Sequence, residues 1–330
     1  TDIGTDTQAG ITVQKTFTGH AWTADYTFEY AISAVSNTAG LGVDDMPMPA
    51  SKTLEVSNPA TGAVNTNAFG QMTFRRAGNY VYEITETDSG NDGITDDTHI
   101  ATVTVAVTED PETGTLSADV TYDNQSALTE ADRTTSDAAA FTNTYSAAFD
   151  DETAVTIGGT KQMDVADGFG YTLRDGSFYF DVTPIDGAPT VSTPVSNTNS
   201  SQVENTNDWT SDIAIISNLG FTLDQLQGQA SKTFSYVVTE RAGSQPSVGY
   251  DTAAYSIDIT VTDDGNGRLY VSGTDIVKGS MVDGSFVADA EGSDAEDVVF
   301  KNTYAPTATT VTPLVITKVM SGADLSADEF

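Results

Sequence analysis

Residues 101–107 read Ala-Thr-Val-Thr-Val-Ala-Val, and residues 255–261 read Tyr-Ser-Ile-Asp-Ile-Thr-Val. In both runs apolar side chains recur at every second position, which is typical of β-strands with one buried face. Turn-forming residues such as Asn91-Asp92-Gly93 separate such runs. The one helix-like segment, Leu219–Gln227, is short and is expected to form a single turn or an irregular loop. Strands at short spacing without intervening helices predict an all-β sandwich.

The composition excludes several classes of function. The chain has 13 Lys and Arg against 48 Asp and Glu, a net charge of −35, so nucleic acids and anionic membranes are not expected partners. It has no cysteine and two histidines, which excludes disulfides, thiolate metal sites and a cysteine nucleophile. There is no apolar run of about 20 residues for a membrane span and no secretory signal at Thr1. We expect no cofactor, and a chain that is mature or internal to a longer protein.

Two motifs occur twice in the same order and indicate tandem domains. Tyr82–Glu86 reads Tyr-Glu-Ile-Thr-Glu and Tyr236–Glu240 reads Tyr-Val-Val-Thr-Glu. Downstream, Phe141–Tyr145 reads Phe-Thr-Asn-Thr-Tyr and Phe300–Tyr304 reads Phe-Lys-Asn-Thr-Tyr. A repeat of this length is a whole domain rather than a solenoid unit.

The repeat predicts the domain boundaries. Residues 1–10 form an N-terminal extension, 11–148 the first β-sandwich and 149–305 the second. Residues 306–330 contain a linker and the first strand of a truncated third repeat. We therefore expect a segment of a longer tandem array.

Three polar residues in each repeat fall on the otherwise apolar face of their strands. By strand parity these are Lys15, Glu86 and Asn143 in the first repeat and Lys161, Glu240 and Asn302 in the second. Lys318 follows Leu314 and Ile316 with the same parity as Lys15. Lysine and glutamate are almost never fully buried unless they are paired. The pattern predicts a buried Lys, Glu and Asn in each domain.

Two interpretations of these triads remain open. In the first, they are ordinary buried ion pairs with an Asn hydrogen bond, which contribute little stability because desolvation offsets the Coulomb energy. In the second, burial favours a neutral lysine and a protonated glutamic acid. The acid then polarises the Asn side-chain carbonyl, the amine attacks it, and the glutamate carries a proton to the departing ammonia. The product is a Lys–Asn isopeptide bond.

The order of an early-strand Lys, a Tyr-x-Ile/Val-x-Glu strand and a terminal Phe-x-Asn-x-Tyr strand resembles the isopeptide-linkage repeat of Gram-positive pilins. Among these proteins, the sequence resembles the streptococcal backbone pilins, or T antigens. The resemblance implies immunoglobulin-like sandwiches in which Glu86 promotes a Lys15–Asn143 bond and Glu240 a Lys161–Asn302 bond. Lys318 would open a third set.

The sequence departs from this pattern at three places. Glu83 is a second acid near Glu86, although its parity places it on the outward face. Lys161 follows Gly158-Gly159-Thr160, so its register is less defined than that of Lys15. Pro189–Ser217 reads as a polar insertion that the first repeat lacks. The chain shows no cell-wall sorting motif and no pilin-type polymerisation lysine motif.

A weaker cluster of oxygen ligands lies between Asp88 and Asp97. Asp88, Asp92 and Asp96 are possible Ca²⁺ ligands, but they lack EF-hand spacing, so a solvated turn is favoured.

The leading function is a structural stalk of an extracellular, cell-wall-anchored adhesin or pilus of a Gram-positive bacterium. It is not an enzyme beyond one intramolecular bond-forming turnover. Its expected partners are neighbouring repeats, other pilin subunits, or a host glycan or matrix protein. The alternative is a binding module that presents Pro189–Ser217, with Trp209, to such a host ligand. A third interpretation is a salt-adapted extracellular protein with ordinary ion pairs.

Overall fold

Strands dominate the computed structural model, which describes residues 1–5, 8–124, 137–289, 297–309 and 321–322. Three short 3₁₀ helices occur in the described part of the chain: Val43–Asp45, Asp151–Thr153 and Leu223–Leu226. The last is the single turn that Leu219–Gln227 predicts. None of the described helices has the length and apolar character that crossing a membrane requires.

The first half of the chain forms eleven strands. They are β1 (Asp2–Ile3), β2 (Thr12–Thr18), β3 (Phe28–Asn37), β4 (Thr53–Val56), β5 (Val64–Ala68), β6 (Met72–Thr73), β7 (Gly78–Glu86), β8 (Ile94–Thr95), β9 (Ile100–Glu109), β10 (Leu116–Asp123) and β11 (Ala139–Tyr145).

The second half forms eleven more. They are β12 (Ala148–Phe149), β13 (Val155–Val165), β14 (Tyr179–Ile185), β15 (Val195–Gln202), β16 (Trp209–Leu219), β17 (Ser231–Glu240), β18 (Val248–Gly249), β19 (Ala253–Asp263), β20 (Arg268–Val282), β21 (Ser285–Ala288) and β22 (Val298–Tyr304).

Two sheets enclose the core of the first domain. One has the strand order β10-β9-β7-β3-β4 and the other β5-β2-β11-β8. The alternating residues of Ala101–Val107 place Ala101, Val103, Val105 and Val107 in the core, as a strand with one buried face requires. Ile3 is also buried in this core, so the N-terminal segment packs against the first domain. The predicted all-β sandwich is confirmed.

The second domain repeats this arrangement with its strands joined in one hydrogen-bonded path. The order is β12-β20-β19-β17-β14-β15-β16-β13-β22-β18, with β21 paired to β20. Strand β15 pairs with both β14 and β16 and so connects the two faces. A separate buried cluster, from Val155 to Phe300, fills this domain.

The first and last long strands of each domain are parallel neighbours. In the pairing of β2 with β11, Lys15 lies opposite Phe141. In the pairing of β13 with β22, Lys161 lies opposite Phe300. The two domains therefore share one register at this position, which settles the position of Lys161 despite the glycines before it.

The Pro189–Ser217 segment is not an insertion without a counterpart, and that prediction is wrong. Strand β16 pairs antiparallel with β13, as β5 does with β2, so the two strands occupy equivalent places. Ile213, Ile215 and Ile216 of β16 are buried in the core. The segment reads as polar because its other face is exposed, and strand pairing between distant segments is not visible in the local pattern.

The last strand of the first domain docks onto a hairpin of the second. The Tyr145 hydroxyl donates to Asp263 Oδ1 at 2.5 Å and accepts from the backbone N–H of Gly267 at 3.1 Å. A Cβ atom on Gly93 would lie 2.6 Å from Gly267 N, so the two backbones approach as closely as glycine allows. Strand β12, in the joint between the domains, pairs with β20 of the second domain.

We predict that Ile215→Ala destabilises the second domain by about 2–5 kcal/mol, because the substitution leaves a cavity in the core. Val203→Ala is the matched control, since Val203 lies in the same segment but is exposed, and we expect a change of at most about 0.5 kcal/mol. Urea unfolding followed by fluorescence measures both. Equal effects of the two substitutions would show that β16 is not part of the core.

Candidate functional site

The three predicted side chains of the first domain meet in the core. Lys15 Nζ donates to Glu86 Oε1 at 2.6 Å and to Oε2 at 2.7 Å. Asn143 Nδ2 donates to the same Oε1 at 2.7 Å. Lys15 and Asn143 are fully buried, and the Glu86 side chain is 1% exposed. The glutamate therefore connects the amine to the amide.

The second domain contains the same arrangement. Lys161 Nζ donates to Glu240 Oε2 at 2.9 Å, and Asn302 Nδ2 donates to Glu240 Oε1 at 2.7 Å. All three side chains are inaccessible to solvent. The sequence singles out six such residues within the described part of the chain, and the structure brings them together as two triads. Lys318 lies outside the described residues.

The local sequence explains why these side chains meet. Lys15 alternates with Val13 and Phe17 on β2, and Asn143 alternates with Phe141 and Tyr145 on β11. Because these strands are parallel neighbours, with Lys15 opposite Phe141 and Asn143 opposite Phe17, the two polar side chains enter the core from diagonal positions of one sheet. Glu86 ends β7 in the opposite sheet and reaches them across the sandwich. Glu83 lies on the opposite face of β7, and Lys15 pairs with Glu86.

An aromatic ring lies close to each amine. Lys15 Nζ lies 4.3 Å from the centre of the Phe28 ring, and Lys161 Nζ lies 5.0 Å from that of Phe178. These rings exclude water and offer their faces to a cation. They cannot replace the hydration of an ammonium group, so its charge depends on the glutamate.

Burial shifts the pKa of both partners in the direction that favours their uncharged forms. Desolvation lowers the pKa of Lys15 to about 8, although the nearby Glu86 carboxylate opposes that shift. Desolvation raises the pKa of Glu86 to about 7, although Lys15 opposes it. In the second domain desolvation likewise lowers the pKa of Lys161 to about 8 and raises that of Glu240. The uncharged amine that attack requires is therefore accessible at moderate pH.

The asparagine carbonyl is polarised by backbone, not by the glutamic acid that the sequence predicts. The N–H of Asp97 donates to Asn143 Oδ1 at 2.8 Å, and the N–H of Asp251 donates to Asn302 Oδ1 at 2.7 Å. A backbone N–H is only a donor, so it fixes the oxygen side of each amide and turns Nδ2 toward the glutamate. The predicted contact between the glutamic acid and this oxygen is therefore replaced by a backbone donor in the unreacted triad, and the role of the acid in a reaction stays a prediction.

Each of these backbone donors is held by its own carboxylate. Asp97 Oδ2 accepts from the N–H of Thr142, and Asp251 Oδ2 accepts from the N–H of Lys301, which are the residues that precede the two asparagines. The sequence did carry a signal for this pair. Asp97 and Asp251 are 154 residues apart, as Glu86 and Glu240 are, and a Thr follows each aspartate.

The three weak calcium candidates have other contacts. Asp88 Oδ1 accepts from the N–H of Gly90 at 2.8 Å, and the N–H of Asp92 donates to Asn266 Oδ1 at 3.3 Å. Asp96 Oδ1 accepts from Asn143 Nδ2 at 2.8 Å. Within the described ranges, no three His, Cys, Asp or Glu side chains lie close enough together to hold a metal ion.

We predict that the stability of an unlinked first domain passes through a minimum near pH 7–8, tested in an Asn143→Ala chain. The pKa of Glu86 rises from its usual 4.5 to about 7 on folding. Between these two pH values the folded domain holds the Glu86 proton more tightly than the unfolded chain does, so stability falls as pH rises. The pKa of Lys15 falls from its usual 10.5 to about 8 on folding. Between these two pH values the folded domain releases the Lys15 proton more readily than the unfolded chain does, so stability rises again. Each change should be on the order of 1–3 kcal/mol.

Denaturant unfolding at a series of pH values measures this profile, with the fluorescence of Trp22 recorded in a Trp209→Phe background. The control adds Lys15→Met and Glu86→Gln to the same chain and should lose both slopes. An identical profile in the control would show that other groups set the pH dependence.

Comparison with known proteins supplies the family. The FctA family model, described as a Spy0128-like isopeptide-containing domain, matches residues 11–146 and again 157–305. No curated protein matches the chain. Among solved structures, a major pilin of Streptococcus pyogenes is 15% identical and covers 89% of this chain and 98% of its own, with a TM-score of 0.30. The major pilin SpaD of Corynebacterium diphtheriae is 12% identical and covers 84% and 70%, with a TM-score of 0.18. On the two matches to the family model, the chain belongs to the FctA family of Spy0128-like isopeptide-containing domains.

Proposed function

We propose that the chain is a stalk or shaft module of a Gram-positive surface adhesin or pilus, and that each domain is locked by an autocatalytic Lys–Asn bond. The observation that carries this proposal is the duplicated triad, in which a buried glutamate holds both the lysine amine and the asparagine amide. Membership of a family described by its isopeptide supports it.

The proposed reaction needs only the residues of the triad and the backbone donor. Lys15 gives a proton to Glu86, and its free amine attacks Asn143 Cγ, while the N–H of Asp97 stabilises the oxyanion. Glu86 passes its proton to Nδ2, the Cγ–Nδ2 bond breaks and ammonia leaves. Glu86 then takes the second proton from the new amide nitrogen and ends uncharged. The second domain performs the same steps with Lys161, Glu240 and Asn302.

The strand arrangement suits such a bond to a mechanical role. Because β2 and β11 are parallel neighbours, the chain enters the sheet at one end and leaves it at the other. Tension along the chain therefore shears the two strands against each other. A covalent link between Lys15 and Asn143 joins these strands directly and takes that load.

The proposed array extends beyond the two domains. We propose units at 11–148 and 149–305, preceded by a segment at 1–10 and followed at 306–330 by a third repeat that begins with Lys318. The contacts at the joint between β11 and β13 support such an arrangement of consecutive repeats. Neighbouring repeats are accordingly the proposed partners, in an extracellular protein anchored to the cell wall.

We predict that the intact mass of the denatured chain is lower than its sequence mass by two ammonia molecules, one for each bond. Glu86→Ala and Glu240→Ala should each retain one of the two ammonia molecules, because each removes the proton carrier of one domain. Mass spectrometry under denaturing conditions measures all of these chains.

The control is Glu83→Ala, which removes a carboxylate on the other face of the same strand and should leave both losses intact. An unmodified mass for the original chain would overturn the proposal. The triads would then be buried ion pairs.

We predict that Asn143→Ala lowers the free energy of unfolding of the first domain by roughly 4–5 kcal/mol, since the lost link closes 128 residues of chain. Asn302→Ala, the same change in the other triad, is the control and should leave the first domain unchanged. Trp22 fluorescence in a Trp209→Phe background reports on the first domain alone. A loss below about 1 kcal/mol would show that the link contributes little stability.

A further inference from the structure

The leaving nitrogen of the first triad has a second carboxylate partner. Asn143 Nδ2 donates to Glu86 Oε1 at 2.7 Å and to Asp96 Oδ1 at 2.8 Å. In the second domain Asn302 Nδ2 donates to Glu240 Oε1. The position equivalent to Asp96, immediately before Asp251, is occupied by Tyr250. The two triads therefore differ at the atom that must depart.

The second carboxylate is held in place by its own contacts. Asp96 Oδ2 accepts from both the backbone N–H and the hydroxyl of Ser89, each at 3.0 Å. These bonds leave Oδ1 facing Asn143. The corresponding Tyr250 offers no carboxylate: its hydroxyl accepts from the N–H of Gln245, and its ring lies 5.9 Å from that of Phe178.

We propose that Asp96 is a second catalytic carboxylate of the first domain, which stabilises the positive charge on the leaving amide nitrogen. This inference rests on the proposed isopeptide reaction. When Glu86 gives its proton to Nδ2, that nitrogen becomes an ammonium group that is hydrogen-bonded to Asp96 Oδ1. The Cγ–Nδ2 bond then breaks and ammonia leaves. Asp96 gives up and takes up no proton in these steps, so atoms and charge balance as before.

The carboxylate also acts on the proton carrier. Desolvation is the main cause of the raised pKa of Glu86, and the charge of Asp96 adds to it. A higher proton affinity makes Glu86 a better acceptor for the first lysine proton. In the second domain the charge of Asp251 raises the pKa of Glu240 in the same way. The difference between the two triads is therefore the Asp96 carboxylate that accepts directly from the leaving nitrogen.

The test is Asp96→Asn in the full chain, made by cell-free synthesis and quenched at intervals with denaturant. Peptide mass mapping then gives the fraction of each link separately. An asparagine at this position has no charge and cannot turn an acceptor to Asn143 while it serves both Ser89 donors. We expect the Lys15–Asn143 link to form about 10²-fold more slowly. The Lys161–Asn302 link in the same molecules should keep its rate.

A pH series separates a catalytic from a structural role. Without the Asp96 charge, the pKa of Glu86 falls, so the rate profile of the first link should move to lower pH and that of the second should not. Asp88→Asn is the matched control and should change neither link. If Asp96→Asn fails to fold by Trp22 fluorescence, Asp96→Ser, which is smaller and equally uncharged, replaces it and should show the same slowing.

The outcomes distinguish the inference from the proposal beneath it. Absence of both links in the original chain would overturn the isopeptide proposal itself. Formation of both links in the original chain, with an unchanged rate and pH profile in the uncharged variants, would overturn the role of Asp96 alone.

Discussion

A lysine amine sealed among aromatic rings with one glutamate is the constraint on which both domains depend. Moving two charges from water into a core costs more than their attraction returns, so such a pair is a poor stabilising device by itself. Here the cost appears in two identical places, at Lys15 and at Lys161. In the proposed reaction, the energy stored in the disfavoured charges would lower the barrier to the step that removes them.

The strand order gives that chemistry its geometry. The parallel pairing of the first long strand with the last places an amine and an amide on diagonal positions of one sheet, while β7 supplies the acid from the opposite sheet. The backbone contributes as much as the side chains do. The N–H of Asp97 orients the amide of Asn143, and the Asp97 carboxylate ties that N–H to the strand that carries the asparagine.

Parity along the strands was enough to find the triads, because a period of two assigns each residue to one face without any tertiary information. Lys15, Glu86 and Asn143 were visible for that reason. The role of Asp97 is not visible in the same way, since it acts through its backbone. The spacing that it shares with Asp251 marks the pair but does not indicate a backbone donor. The contact of Asp96 with Asn143 depends on the fold of a loop, so the sequence predicts a solvated turn there instead. The place of β16 in the core depends on its pairing with β13, about fifty residues earlier, which the local pattern does not reveal.

The joint between the domains has a role different from that of the cross-links. With both bonds formed, tension would pass from Lys15 to Asn143, along the chain to Lys161 and on to Asn302, so the rest of each sandwich would carry no load. The contacts of Tyr145 with Asp263 and Gly267 lie beside this path. They cannot add tensile strength to a continuous covalent chain, but they fix the angle between consecutive domains. Strength would then reside in the two triads, and resistance to bending in the docked hairpin.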